Sequence, residues 1–232
     1  MRIFLGLIIC QIIGTVYAQD ASQILREHFK DYGQEQWNDV RSVTIDGRLV
    51  DEDYYGCKMK VSLKQPDKIR IDGTYKKKGF AEAYNGLTSW IVAPWRETYE
   101  VTYPEPAEEL SLIHALGFGS PLYPFRDHLK FEGLKSFEGE LYLTFVLDES
   151  AYLKTFYLGR EDYRLYFEEI SLRFGSQPTK ILKVTEKYKQ YGELLMPTAA
   201  IFEGEDYYKE LIFDQVYLNM GVNDQIFERP KE

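Results

Sequence analysis

His28, His114 and His128 are the residues best placed to move protons near neutral pH, and their spacing supports no known chemistry. None stands in a zincin-type pair and no C-x-x-C occurs. A G-x-S-x-G elbow, a phosphate-cradling glycine loop and a dinucleotide fingerprint are equally missing. Asp127-His128 sits beside proline-containing turns, a poor frame for a catalytic dyad. Glu108-Glu109, if helical, would serve the positive end of a helix dipole. Glu168-Glu169, if in a strand, would point to opposite faces. The chain therefore reads as no enzyme, with no catalytic residue, no metal site and no cofactor.

A formal net charge of −9 argues against a nucleic-acid partner, whose phosphates would repel the chain. It also argues against broad adhesion to anionic lipid. Arg2, the apolar run from Ile3 to Ile13 and the small-residue pattern Val16-Tyr17-Ala18 form a secretory signal peptide. Cleavage is expected after Ala18, which leaves residues 19–232 as a single periplasmic domain. Leu7-Ile8-Ile9-Cys10 resembles a lipobox, but Ile9 is not the small residue that lipidation requires. Only Cys57 then remains, so burial alone must hold the domain, and that thiol is expected to be buried and structural.

The elements that would position a site begin with an amphipathic helix over Asp20–Tyr32. Ile24, Leu25, His28, Phe29 and Tyr32 line one face, Asp20 and Gln23 suggest a capping box, and Gly33 suits a left-handed stop. Alternating strands follow at 41–50, 58–64 and 68–72, with Pro66 in a turn and Lys76-Lys77-Lys78 at a hairpin tip. Asn85-Gly86 between apolar runs predicts a hairpin with a type I′ turn, leading into a strand that carries Trp90. Pro104–Phe118 breaks the series as an apolar helix, with Pro106 in its first turn, and a short helix is expected within Ser120–Leu129. Strands resume at 140–147, 152–158, 164–174, 180–190, 193–203 and 208–218. Several are apolar on both faces, as with Leu141, Leu143, Phe145 and Leu147 against Tyr142 and Val146.

This order of parts resembles the LolA-like periplasmic lipoprotein-sorting proteins. The resemblance is carried by Asn85-Gly86-x-x-x-Trp90-x-x-x-Pro94 and by the closing Asn219, Asp224, Phe227 and Pro230 pattern. Tyr191 to Pro197 looks like the family's turn into a late strand. The resemblance implies an α+β fold: a strongly curved antiparallel sheet, an incomplete and unclosed β-barrel, with helices packed on its concave face as a lid. It implies a carrier or chaperone that binds acyl chains of lipoproteins or related lipids and moves them toward the outer membrane. The carrier would work as a monomer between an inner-membrane donor and an outer-membrane acceptor. Ile69, Ile71 and Trp90 would line the apolar space from the sheet, and Leu112, Ile113 and Leu116 would line it from the lid. Phe227 and Pro230 would fasten the tail. Where the family has an arginine before the turn proline to tie the lid shut, this chain has Gln65, which lacks the charge and the rigid fork.

The physics of such a carrier is simple. Each buried methylene is worth roughly 0.8 kcal/mol, so a ~16-carbon chain resists leaving a bilayer by about 12 kcal/mol. Crossing water therefore needs a cavity that stands in for the membrane. An apolar helix over an apolar sheet is also how an ordinary α+β domain fills its core. A lipid or lipoprotein sensor, a scaffold without ligand, and a lipid hydrolase with His114 or His128 near a Ser or Asp stand as alternatives.

Overall fold

A computed structural model describes residues 21–50, 56–173 and 179–230. The signal-peptide segment, the Asp20 cap and Cys10 lie outside the described residues. The first helix, α1, covers residues 21–31, and its apolar stripe is buried where the periodicity put it, through Ile24, His28 and Tyr32. Gly33 ends it at φ +64°, and a Cβ there would run into the carbonyl of Glu193, so only glycine fits. One further turn, α2 (Gln34–Trp37), then buries Trp37 and leads into the sheet.

Strands β1 (Ser42–Val50), β2 (Cys57–Lys64), β3 (Lys68–Tyr75), β4 (Lys78–Tyr84), β5 (Ser89–Val92) and β6 (Val101–Thr102) form an antiparallel meander. Helix α3 (Pro106–Ile113) interrupts it. Strands β7 (Lys130–Phe137), β8 (Glu140–Asp148), β9 (Tyr152–Leu158), β10 (Leu165–Leu172) and β11 (Lys180–Val184) build the other half. β12 (Tyr188–Tyr191) and β13 (Leu194–Pro197) leave as a separate hairpin, then β14 (Ala199–Gly204) and β15 (Tyr207–Leu218) return and join the halves. The order is β6-β5-β4-β3-β2-β1-β15-β14-β11-β10-β9-β8-β7, so β6 and β7 are edges and the sheet is not closed.

The sheet curls strongly. α3 touches both β4 and β11, which stand six positions apart in the sheet. Flat, six inter-strand steps of about 4.8 Å would span roughly 29 Å, far beyond a helix about 10–12 Å wide. Lys209 on β15 likewise reaches Glu82 on β4, four positions away. The face that carries these contacts also carries the core: Val43, Ile45, Val61, Leu63, Ile69, Ile71, Phe202 and Leu211 share one cluster with Trp37, Leu110 and Leu112 of the helices.

Several expectations need correction. The Asn85-Gly86 hairpin exists, but its loop holds four residues and is no type I′ turn, because Asn85 keeps a negative φ. Its side chain instead accepts hydrogen bonds from the amides of Leu87 and Thr88. The type I′ turn is at the lysine tip, where Lys76 (φ 45°) and Lys77 (φ 69°) join β3 to β4. The two continuous strands expected over 180–190 and 193–203 are each broken, because the β12–β13 hairpin pairs only with itself. Helix within Ser120–Leu129 reduces to a 3-10 turn at Tyr123–Phe125. Cys57 is half-buried at the start of β2 rather than sealed.

Candidate functional site

Strand register decides which predicted residues share a face. Ile69 pairs with Tyr84 and Ile71 with Glu82, and both isoleucines are fully buried against the α3 side. Leu112 is buried in the same cluster, Leu116 packs on it, and Ile113 is half-buried. Trp90 does not join them. It pairs with Ala83, which pairs with Arg70, so it stands on the opposite face of the sheet. There its Nε1–H donates to the Phe227 carbonyl at 2.8 Å, and the Arg70 guanidinium stacks on its ring. Trp90 is therefore the anchor of the C-terminal tail, whose Phe227 is fully buried beneath the closing 3-10 turn. Family spacing identified the strand correctly, but a period-2 flip separates Trp90 from Ile91, which does face inward with Glu82.

Gln65 ties to the end of α2 and the link into β1, not to α3. Its Nε2 donates to the Val40 carbonyl at 2.7 Å, and its Oε1 accepts from Arg41 at 3.1 Å. α3 is held by other means. Pro106 occupies its first turn, and Glu105 and Glu108 form a reciprocal capping box. Glu108 also binds Arg96, and Glu109 accepts from Ser89. On the buried side Ser111 Oγ meets Tyr207 Oη at 2.6 Å, and Lys209 bridges Ser111 and Glu82. Burial pushes the Tyr207 hydroxyl up to about 12, so it stays a neutral donor. Beside α3 a void of about 40 Å³ lies against Phe80, Glu82, Trp95 and Lys209.

The larger space lies at the other half. A groove of about 890 Å³ opens between α1 and the β7–β8 edge. Ile24, Phe131, Leu134, Leu143 and Tyr163 give it an apolar wall, with Gln23, Glu132 and Arg160 at its polar side. That volume falls within the range of small-molecule sites, about 300–1,000 Å³. Below it Phe145, Leu147, Phe156 and Leu158 form a second buried cluster, covered by Ile24 and Leu122.

The inward face also holds five ionisable side chains absent from the expected site: Glu82, Lys154, Glu168, Lys183 and Lys209. Lys183 and Glu168 pair at 2.7 Å across β10 and β11. Among the described residues, Lys154 on β9 has no carboxylate within ion-pairing range. Its Nζ lies 3.4 Å from His114 Nδ1, and over the rings of Tyr152 and Phe125 at 5.0 and 5.2 Å. Burial pulls the Lys154 ammonium down to about 8, and Lys183 pulls the same way against Glu168. Burial, then Lys154 and Lys183, hold His114 well below the usual histidine range. The signal was present in the alternation: Lys154 shares parity with Phe156 and Leu158, and Glu168 with Ile170.

Neither His114 nor His128 forms a dyad with a serine or aspartate among the described contacts. His28 does meet Ser120, with Nε2 and Oγ 2.6 Å apart, while Nδ1 lies 2.7 Å from the Tyr163 carbonyl. The carbonyl can only accept, so Nδ1 carries the proton and Nε2 accepts from the serine. Both side chains are sealed from solvent; Ser120 Oγ also accepts from the Leu122 amide, and the Ser120 amide donates to Gln34 Oε1. This is a clamp that fixes α1 to the loop after α3. Among the described residues no cluster of His, Cys, Asp and Glu is arranged to hold a metal, and no helix is long and apolar enough to cross a membrane.

Two solved structures share this fold over nearly their whole length. One is a LolA superfamily protein from Nitrosomonas europaea, with a TM-score of 0.54, 16% identity, and coverage of 90% of this chain and 97% of that one. The other is a domain from Vibrio parahaemolyticus described as an outer membrane lipoprotein-sorting protein, with a TM-score of 0.53, 12% identity, and coverage of 90% and 94%. The chain has the LolA-superfamily fold. No family model matches the sequence, and no curated protein does either.

Proposed function

We propose that this LolA-like protein is a periplasmic carrier that holds acyl chains of lipoproteins or related lipids between its sheet and helices and hands them toward the outer membrane. The observation that carries this reading is the 890 Å³ groove with an apolar wall, set against the curled face of an unclosed sheet. An acyl chain needs shape and apolar lining, with no catalytic group. The fold likeness supports the class, since one structural neighbour is described as a lipoprotein-sorting protein. In this reading residues 1–18 are removed on export, the helices cover the concave face, and α3 is a lid. Ile69, Ile71, Leu112, Ile113 and Leu116 are then the part of the lining that is packed shut without ligand. A monomer exchanging cargo between an inner-membrane donor and an outer-membrane acceptor fits this picture.

The test is native mass spectrometry and lipid extraction of protein purified from its own periplasm. Acyl lipid should co-purify, and Leu143→Glu in the groove should remove it while leaving a cooperative thermal transition. Leu116→Glu should act similarly only if α3 opens. Protein that is reproducibly empty and takes up no fatty acid would end the carrier reading.

A further inference from the structure

We propose that the ligand of the inward face is an acyl chain ending in an anionic head, carboxylate or phosphate, and that Lys154 is the residue that receives the head. This rests on the carrier reading and narrows the ligand class within it. Among the described residues three lysines point into the curl of the sheet, and two are neutralised: Lys183 by Glu168 and Lys209 by Glu82. Lys154 is the third. It is 3% exposed, and the nearest carboxylate that influences it, Glu168, is already bound to Lys183. What surrounds its Nζ is an imidazole held neutral and two aromatic faces, which accept a cation weakly and leave its charge unbalanced. Ordinary cores pair a buried charge or do without it. A site for an anion retains one.

The position of Lys154 suits a lipid head better than a free ion. It faces Leu147 on β8 and Ile170 on β10, between the cluster under α3 and the cluster under α1. Along β9, Lys154, Phe156 and Leu158 share one face, and Leu158 faces Leu143, which lines the groove. Four residues of strand cover about 13 Å. An extended chain anchored at Lys154 would therefore run over Phe156 and Leu158 into the groove. Ile24 of α1, Leu122 and Phe125 cover that strip, so entry requires α1 and the Tyr123–Phe125 turn to lift.

The test titrates delipidated protein with palmitic acid, 1-palmitoyl lysophosphatidic acid and 1-monopalmitoylglycerol by calorimetry, each below its micelle concentration. At least one anionic ligand should bind tenfold or more tightly than the glyceride. Lys154→Met should abolish that preference, and Lys154→Arg should keep it. Preference for palmitate alone or for the phosphate alone identifies the head and supports the proposal. Equal binding of all three, or an anionic preference that survives Lys154→Met, overturns it and leaves the carrier reading standing. Binding of none overturns both. Should Lys154→Met fail to fold, Lys154→Gln and the wild-type comparison decide the same question.

Discussion

Replacing Lys154 by methionine should make the empty protein more stable, and the amount can be worked from its surroundings. Burial lowers the ammonium from 10.5 to about 8. At about 1.4 kcal/mol per pH unit, that fall corresponds to roughly 3 kcal/mol by which the fold disfavours the charge at neutral pH. Methionine keeps most of the stem and removes the charge. His114 loses one long hydrogen bond, worth about 1 kcal/mol, and Glu168 keeps Lys183. The expected net gain at pH 7 is therefore about 1–3 kcal/mol, in line with other buried charges replaced by apolar side chains. The sign has its own pH dependence. Between pH 8 and 10.5 the unfolded lysine binds more protons than the folded one, so wild-type stability rises with pH there. The gap between variant and wild type should be full below pH 8 and shrink as pH approaches 10.5. Urea unfolding of both proteins at pH 7 and pH 10 measures it. A variant less stable at pH 7, or a gap unchanged at pH 10, would refute the account of Lys154 as an unbalanced buried charge.

His28 titrates in the opposite range. Burial lowers it from 6.5 to about 4, so its contribution is complete above pH 6.5 and is lost as pH falls toward 4. Wild type should lose up to roughly 3 kcal/mol more than His28→Gln across that window in urea unfolding, and parallel pH profiles would contradict this. Trp90→Phe removes the bond to the Phe227 carbonyl and should cost about 1–2 kcal/mol. Limited proteolysis should then clip the tail after Leu218 sooner, and an unchanged rate would show that the tail is held without Trp90. Lys77→Gly places glycine at an exposed φ of 69° in the type I′ turn and should stabilise by roughly 1 kcal/mol, read as a higher thermal midpoint. A lower midpoint would mean that the lysine tip makes contacts worth more than its strain.

Strand positions were readable because alternation survives wherever one face is wet. β1 and β2 fall within a residue or so of their expected bounds, and β9 matches at both ends. The β12–β13 hairpin was hidden because Lys180–Gln190 and Glu193–Glu203 keep strand-like composition through the break, and only pairing shows that the chain leaves the sheet. β7 was harder still. Its residues are mostly exposed at a sheet edge and Gly133 bulges it, so neither period is strong. The site was less readable than the fold. Face assignment by family position put Trp90 inside, whereas parity with Arg70 puts it outside. The inward lysines share parity with apolar neighbours, but a lysine in such a strand reads as an edge or a solvent residue until the curl of the sheet is known.

That curl explains why the two halves of the interior differ. Under α3 the sheet brings β4 and β15 close enough for Glu82 and Lys209 to meet, and Ser111 and Tyr207 complete a polar latch. Opening α3 must break the Ser111–Tyr207 and Lys209–Ser111 bonds and the Arg96–Glu108 and Ser89–Glu109 contacts that hold the helix, each worth about 1–2 kcal/mol. Under α1 the fastening is the His28–Ser120 clamp, the Asp31–Arg164 pair at 3.0 Å and apolar contact. The Asp31–Arg164 pair is partly solvated and contributes about 1 kcal/mol or less. The β7–β8 side is already open to a groove. In the proposed carrier, an acyl chain entering between sheet and helices would therefore meet the lower barrier at α1, and α3 would follow only if the cargo exceeds what that half can hold. The order of events is measurable. Cross-linking α1 to β8 through cysteines at Ile24 and Leu143 should block uptake of a single acyl chain, whereas a link from Leu112 to Ile71 should not. Uptake blocked only by the second link would assign entry to α3 and reverse the order argued here.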